Sequence, residues 1–430
     1  MKKPLSAKAV TWLLTLVYFS GYLTRTNFQN IMVAVQTDTG HNADLLGIVV
    51  SCLFFSYAIG QIVNGRLGDK IKPQSMIMCG LTSSAIINLI FPFCAGSVPV
   101  MCVLWGVNGF VQAMLWPPMI QIMVRAMSAD EYTENVPLLT IGSSAAKVAI
   151  VVLAPVILLF LNWRAIFFIC SVFALCVAAL FFSNRNRFAL APLPKSDGKK
   201  KGFSLPRKAL FPIVLIFAAI VLHGALRDSL DTWMPNYLKA EFSFDDKLAI
   251  LCKVFLTVFG VLSIFLCKVI FRKFFKNEVA CAVWLFGVAT VSALLLFALF
   301  GLKNVPITIA TMTLVYGIQS GINLMLISYV PKRFSAYGNI STITGLLDAF
   351  AYAGSAISMF GITSVVKGGG GWRAATLTWL LVSASGTLCV LVATKPWKRF
   401  YRIAEEAAEE AAEKAAEQAT EQKTEATTKA

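Results

Sequence analysis

Two arginines stand where a bilayer-crossing helix should carry none. Arg25 interrupts the run VTWLLTLVYFSGYLTRTNFQNIMVAVQ, and Arg227 interrupts IVLIFAAIVLHGALRDSLDTWMPNYL. An arginine at mid-membrane costs at least about 2.5–3.5 kcal/mol, so each implies a use. Arg25 is 17 residues from Lys8 and 13 from Asp38, and Arg227 is 19 from Lys208 and 12 from Lys239. At about 1.5 Å per residue both sit deep, at similar heights. Lys147 and Asp348 fall in the same depth zone, with Asp228 and Asp231 close to it. A guanidinium stays charged and offers a planar fork that matches phosphate oxygens two at a time. A phosphate monoester carries about −1.5 to −2 at neutral pH. Two forks at one depth suit such a dianion. Bound, it neutralises both arginines; without it, like charges resist closing around an empty site. The pattern predicts obligatory exchange, in which the protein reorients only when loaded.

Polar stripes accompany these charges. Tyr18, Tyr22, Arg25 and Gln29 recur at helical spacing on the first candidate helix, and His223, Arg227 and Asp231 on the seventh. Asn108, Gln112 and Trp116 mark the fourth, Thr140, Ser143, Ser144 and Lys147 the fifth. Tyr316, Ser320 and Asn323 mark the tenth, Thr344, Asp348 and Tyr352 the eleventh. Stripes of this kind are expected to line a water-filled cavity rather than face lipid. A plainer role stays open for each charge. Arg227 can pair with Asp228 or Asp231, and Arg25 or Lys147 with Asp348. His223 can be a packed, hydrogen-bonded histidine instead of a proton carrier. Lys253 reads as a snorkelling side chain, and His41 falls in an outside loop.

The elements that must position these residues are membrane helices. The 430-residue chain is 57% hydrophobic and 14% charged, with mean hydropathy +0.71; ordinary globular chains carry about 25% charge. Apolar runs long enough to span recur throughout, which excludes a soluble protein with a large core. Twelve candidate helices cover roughly 10–35, 43–67, 74–94, 98–125, 134–161, 163–183, 209–238, 246–271, 278–301, 305–330, 338–366 and 371–394. The expected domains are an N-terminal six-helix bundle (1–182), a basic linker (183–208), a C-terminal six-helix bundle (209–394) and a charged tail (395–430). NWRAIFFI opens the sixth candidate helix and GWRAATLTW the twelfth, and Arg25 and Arg227 occupy comparable places in the two halves. This is a weak parallel repeat. Basic residues divide 24 to six between the two sets of loops. The bias places both termini and the linker in the cytoplasm, and it accounts for the net charge of +16 without nucleic acid. The ten cysteines form no CxxC pair and read as small buried apolar residues. The N-terminus lacks a signal-peptide cleavage pattern and is expected to be the first span. The tail is an Ala/Glu low-complexity segment with a like-charge ladder from Glu405 to Glu421, expected to be solvated and partly helical.

Four segments together resemble the organophosphate:phosphate antiporter branch of the major facilitator superfamily, which includes bacterial glycerol-3-phosphate and hexose-phosphate transporters. GYLTRTNF is similar to that family's first-helix segment, and LRDSLDTWMPNYLK to its seventh. NGRLGDKIKP is similar to its loop between helices two and three, and GFVQAMLWPPM to its fourth-helix segment. The resemblance covers nearly the whole chain except the tail. It implies an all-α membrane fold of twelve helices in two pseudo-symmetric halves, rocking around a site where Arg25 and Arg227 hold the phosphoryl group. The histidine that the glycerol-phosphate member contributes from helix five falls at Lys147. Gln61 stands where that member has a lysine and Leu256 where it has an acid, while Asp348 adds a negative charge. The second half, reading CKVIFRKFFKN, lacks the loop aspartate. These departures point to a different organic moiety, such as a larger sugar phosphate or a zwitterion whose amine meets Asp348.

The reading is a secondary transporter exchanging an organic phosphate ester for inorganic phosphate in a bacterial inner membrane. Its expected substrate-binding residues are Arg25, Arg227, Lys147, Tyr18, Tyr22, Gln29, Gln112, His223, Asp231, Tyr316, Asn323, Asp348 and Tyr352. No catalytic pair, metal or cofactor is expected; the partners are the phosphate ester, inorganic phosphate and lipid, with no nucleic acid, and the protein is expected to be monomeric. A proton-coupled organic-anion symporter, with His223 or Asp348 titrating, and a transporter-like sensor of a phosphorylated sugar are the alternatives.

Overall fold

The structure is a computed structural model that describes residues 4–41, 43–191, 207–244, 248–249, 252–337 and 339–428. Side chains are described for all of these except 33, 43–44, 336, 359–360, 363, 367 and 407–428. The middle of the expected linker, with Lys195, Lys199, Lys200 and Lys201, lies outside the described residues, as do Lys2, Lys3 and Lys247. So do the side chains of the glutamate ladder beyond Glu405.

Thirteen principal helices are described: α1 (Ala7–Thr39), α2 (Ala43–Gly68), α3 (Pro73–Ile90), α4 (Val98–Gln112), α5 (Trp116–Ala126), α6 (Ala129–Phe160) and α7 (Trp163–Asn184), then α8 (Arg207–Phe242), α9 (Lys253–Phe274), α10 (Glu278–Ala298), α11 (Val305–Asn323), α12 (Ile340–Val365) and α13 (Gly371–Thr428). Among the described residues, eleven helical stretches are long and apolar enough to cross a membrane. The twelfth span is α1, whose polar stripe sets it apart in composition but which packs against α6 and α7 within the bundle. Large apolar side chains such as Phe55, Phe93, Leu159 and Phe160 stay exposed on the outside, as a lipid-facing surface requires.

Local chemistry sets the helix ends. Ser128 and Glu131 form a reciprocal capping box at the start of α6, and Asn277 caps α10 through the amides of Val279 and Ala280. The fourth expected helix is one span in two pieces. Pro117 and Pro118 have no amide to give the carbonyls one turn back, so the helix breaks over residues 113–115 and restarts as α5. The final helix runs past the expected boundary at 395. Trp397, Phe400 and Ala404 are buried, with the Phe400 ring 5.2 Å from Phe334.

The packing divides the molecule by height. One apolar core unites both halves near the α2–α3 loop, running from Val10 and Tyr132 to Phe334 and Trp397. Toward the opposite end it splits. Phe28, Phe91, Trp105 and Trp163 belong to a core in the first half, and Leu230, Tyr237, Trp372 and Trp379 to a separate one in the second. The halves meet through α2 against α12 and α6 against α9, pairs that a two-fold between the halves exchanges. Gly65 and Gly345 let α2 and α12 touch backbone to backbone: a Cβ on Gly65 would lie 3.1 Å from the Gly345 Cα.

Polar contacts seal the same end. Asp69 accepts from the backbone amides of Ser341 at 2.9 Å and Thr342 at 2.8 Å, at the start of α12. A carboxylate is well placed there by the helix dipole. The second half, without the loop aspartate, seals differently. Lys268 and Arg272 on α9 lie 3.8 and 3.7 Å from the Glu134 carboxylate on α6. Tyr132 donates to the Ser328 carbonyl, and Tyr329 to the Thr133 carbonyl at 2.7 Å. The molecule is closed at the α2–α3 loop and parted at the other end.

Burial pushes the Asp69 carboxyl up to about 6, against the pull of the α12 amides. A carboxyl whose pKa rises on folding binds its proton earlier in the native state, so its contribution weakens as pH climbs toward that value. An asparagine there cannot titrate. The melting temperature of the wild type, relative to Asp69→Asn, should therefore rise as pH falls from about 7 to about 5. A flat difference across that range would show that the carboxylate is not desolvated at this seal.

Candidate functional site

Arg25 projects from α1 toward the other half. Its Nη2 donates to the Tyr352 hydroxyl on α12 at 2.7 Å. Its guanidinium stands 3.8 Å over the Tyr57 ring of α2, with Tyr22, Phe54 and Tyr352 within 5.8 Å. The side chain is buried, 5% exposed, yet no carboxylate lies within ion-pair distance among the described residues. Its charge is held by hydroxyls and ring faces, a weaker hold than an acid would give.

Arg227 belongs to α8. Close packing puts it beside α12: a Cβ on Gly224 would strike the Ala351 carbonyl, and one on Gly354 the Val221 carbonyl. Its guanidinium makes a two-point contact with the neighbouring Asp228, at 2.6 and 3.0 Å. Asp228 in turn accepts from Ser355 of α12 at 2.5 Å. Of the two partners open to Arg227, the structure thus selects Asp228. Asp231 instead pairs with Lys253 of α9 at 3.2 Å, so Lys253 is an ion-pair partner and not a snorkelling side chain. Tyr352 joins the two arginines, bonded to Arg25 and within electrostatic range of Arg227.

The other expected residues divide into two groups. Lys147 is exposed, with its ammonium 5.5 Å from the Tyr22 ring centroid and no acid at ion-pair distance among the described residues. Asp348 is half-buried and accepts from the Tyr57 hydroxyl at 3.2 Å, with no cation at ion-pair distance among the described residues. Tyr316 is half-buried and within electrostatic range of Arg227 and Asp231. Gln29 is exposed one turn from Arg25, and Asn323 is half-buried at the end of α11. Tyr18 is buried, stacked on Trp116 at 5.2 Å and bonded to Tyr22 at 3.5 Å.

Gln112 and His223 face elsewhere. Gln112 donates to the Gly21 carbonyl and to Thr24 and Ser84. With Asn108 and Asn88, which both reach the Thr24 carbonyl, it ties α1 to α3 and α4. The fourth-helix polar stripe is a structural lock and not a cavity wall, because buried amides seek buried carbonyls. His223 is fully buried, and its Nδ1 meets the Gln319 amide oxygen at 2.8 Å, the packed arrangement of the plainer reading. Thr344 is likewise buried, bonded to the Ile340 carbonyl. Among the departures from the family pattern, Gln61 and Leu256 are both fully buried. Tyr57 and Ser355 enter the site without having been expected. Ser355 continues the Asp348, Tyr352 face at i+7 and was open to that periodicity.

A protein-family model described as Major Facilitator Superfamily matches residues 14–358. The chain belongs to the Major Facilitator Superfamily. It is similar to the glycerol-3-phosphate transporter of Bacillus subtilis (strain 168), 24% identical over 410 residues that make up 88% of this chain and 90% of that one. It is also similar to a probable hexose phosphate transport protein of Chlamydia trachomatis, 28% identical over 152 residues, about a third of each chain. In fold, this superfamily member superimposes on the transporter FucP in the outward conformation with a TM-score of 0.74 at 16% identity, covering 89% of this chain and 98% of that one. A bacterial homologue of the iron transporter ferroportin, in an outward-facing state, gives 0.69 at 14%, covering 91% and 99%. As a Major Facilitator Superfamily protein the chain is a multi-pass membrane transporter. Its charged residues stand between the halves, below the parted end.

Proposed function

We propose that this transporter exchanges an organic phosphate ester, of the sugar phosphate or glycerol-3-phosphate class, for inorganic phosphate by alternating access. The observation that carries the reading is the buried Arg25 guanidinium, bonded across the halves to Tyr352 and lacking any acidic partner among the described residues. Inorganic phosphate and a phosphate ester present the same anionic oxygens, so one clamp serves both. Arg25 and Arg227 bind the phosphoryl group and Lys147 supplies a third positive charge. The names of the Bacillus and Chlamydia relatives support the same substrate class. The loop charges set the sealed end in the cytoplasm of a bacterial inner membrane, with both termini there; the parted end then faces outward. The two expected bundles, 1–182 and 209–394, are the bodies that rock.

Reconstitution into liposomes tests this. Uptake of labelled phosphate should require phosphate inside, and external phosphate esters should compete. Folded protein that takes up no phosphate against internal phosphate overturns the reading. Stimulation by an inward proton gradient in phosphate-free liposomes would instead favour proton-coupled uptake.

A further inference from the structure

The charges between the halves can be inventoried by partner. Arg227 is matched by Asp228, and Lys253 by Asp231. Three groups are left over among the described residues: Arg25 and Lys147, both cationic, and Asp348, anionic. Arg25 touches only tyrosines and Phe54, Lys147 a tyrosine ring, and Asp348 the hydroxyl of Tyr57. Arg25 is buried and Asp348 half-buried, neither with a counter-charge at ion-pair distance, a standing cost that a ligand of opposite sign can relieve, while Lys147 stays exposed beside them.

A plain phosphate ester satisfies the two cations and leaves Asp348 worse placed, with a dianion brought near a carboxylate. A ligand that carries a cation as well satisfies all three. From the leftover charges we infer that the preferred organic substrate is a zwitterion: a phosphate monoester bearing a primary amine, its phosphate on the Arg25–Arg227 clamp with Lys147 and its ammonium on Asp348. Tyr57 sets the scale. Its ring lies under Arg25 at 3.8 Å and its hydroxyl bonds Asp348 at 3.2 Å. The anion and cation subsites are therefore one tyrosine apart, and a tether of a few carbons spans them. The selection is also a rejection. An ester with a hydroxyl in place of the amine leaves the carboxylate uncompensated, and discrimination against an absent hydrogen-bonding charge is the strong kind.

This inference rests on the phosphate clamp proposed above, and a binding measurement separates the two. Aminoethyl phosphate and hydroxyethyl phosphate have the same phosphate and tether and differ in the terminal group. Their affinities for the purified wild-type protein, read from ligand-induced thermal stabilisation, should differ by about tenfold or more in favour of the amine. In Asp348→Asn the ratio should fall to about one, and in Asp348→Glu, which keeps the carboxylate, the amine should again be preferred. The rescue by glutamate guards against an asparagine variant that merely misfolds. Equal affinities in the wild type, with inorganic phosphate still bound and exchanged, would overturn the zwitterion while leaving the clamp intact. If no phosphate compound stabilises the protein, both fall.

Discussion

Arg25→Lys should all but abolish phosphate exchange, although the charge is kept. The guanidinium is fixed on both sides, by the Tyr57 ring at 3.8 Å and the Tyr352 hydroxyl at 2.7 Å. Held this way, its remaining donors are aimed before phosphate arrives. Lysine replaces the fork by a single hydrated point charge on a flexible stem. At least one charge-assisted hydrogen bond to phosphate goes, and the geometry of the other loosens. Each such bond contributes about 1.5–3 kcal/mol, so a loss of about 100-fold in exchange at low phosphate is expected. The ammonium can still sit over the tyrosine rings, so the melting temperature should change little. Labelled-phosphate exchange and a thermal melt on the same preparation check both halves of this statement. Near-normal exchange would mean that the bidentate fork is not what Arg25 contributes.

Much of this was open to a reader of the sequence, for reasons visible in particular residues. Apolar runs reveal spans because lipid leaves the backbone no partner but itself, and eleven of the expected twelve appear on that criterion alone. The depth of Arg25 and Arg227 follows from counting along two continuous helices, α1 over Ala7–Thr39 and α8 over Arg207–Phe242. What counting cannot give is the rotation of one helix against another. Asn108 and Gln112 have the same types and spacing whether they face water or the Thr24 carbonyl, and only the seating of α4 against α1 decides it. The partner of Lys253 lies 22 residues away on another helix, out of reach of any i,i+4 rule. Pro117 and Pro118 cause the break before α5 by their missing amides, but the unbroken apolar pattern over 98–125 reads as one helix. The last helix continues beyond the expected boundary at 395. Trp397 and Phe400, just before the Ala/Glu segment, pack on Phe334 and anchor that part of the helix to the bundle.

Asp228 changes the physics of the empty carrier, and its removal should be informative. In the absence of phosphate the Asp228 carboxylate occupies the donor directions of Arg227 at 2.6 and 3.0 Å, braced by Ser355 at 2.5 Å. If the proposed clamp holds phosphate, that phosphate must displace Asp228 from the Arg227 fork or share it. Such a competitor lowers affinity and speeds release, which serves a carrier that has to let its cargo go. It also means that repulsion between Arg25 and Arg227 is partly masked by Asp228, leaving Arg25 and Lys147 as the unmatched positive charges among the described residues. Asp228→Asn removes the competing charge and retains a partner for Ser355. Inorganic phosphate should then bind about tenfold tighter, the worth of one charge-assisted bond no longer contested, while exchange at saturating phosphate slows because release now has to break a stronger pair. The two effects together identify Asp228 as a competitor. Weaker phosphate binding in the variant would assign it the opposite role, that of holding the Arg227 fork in position for its ligand.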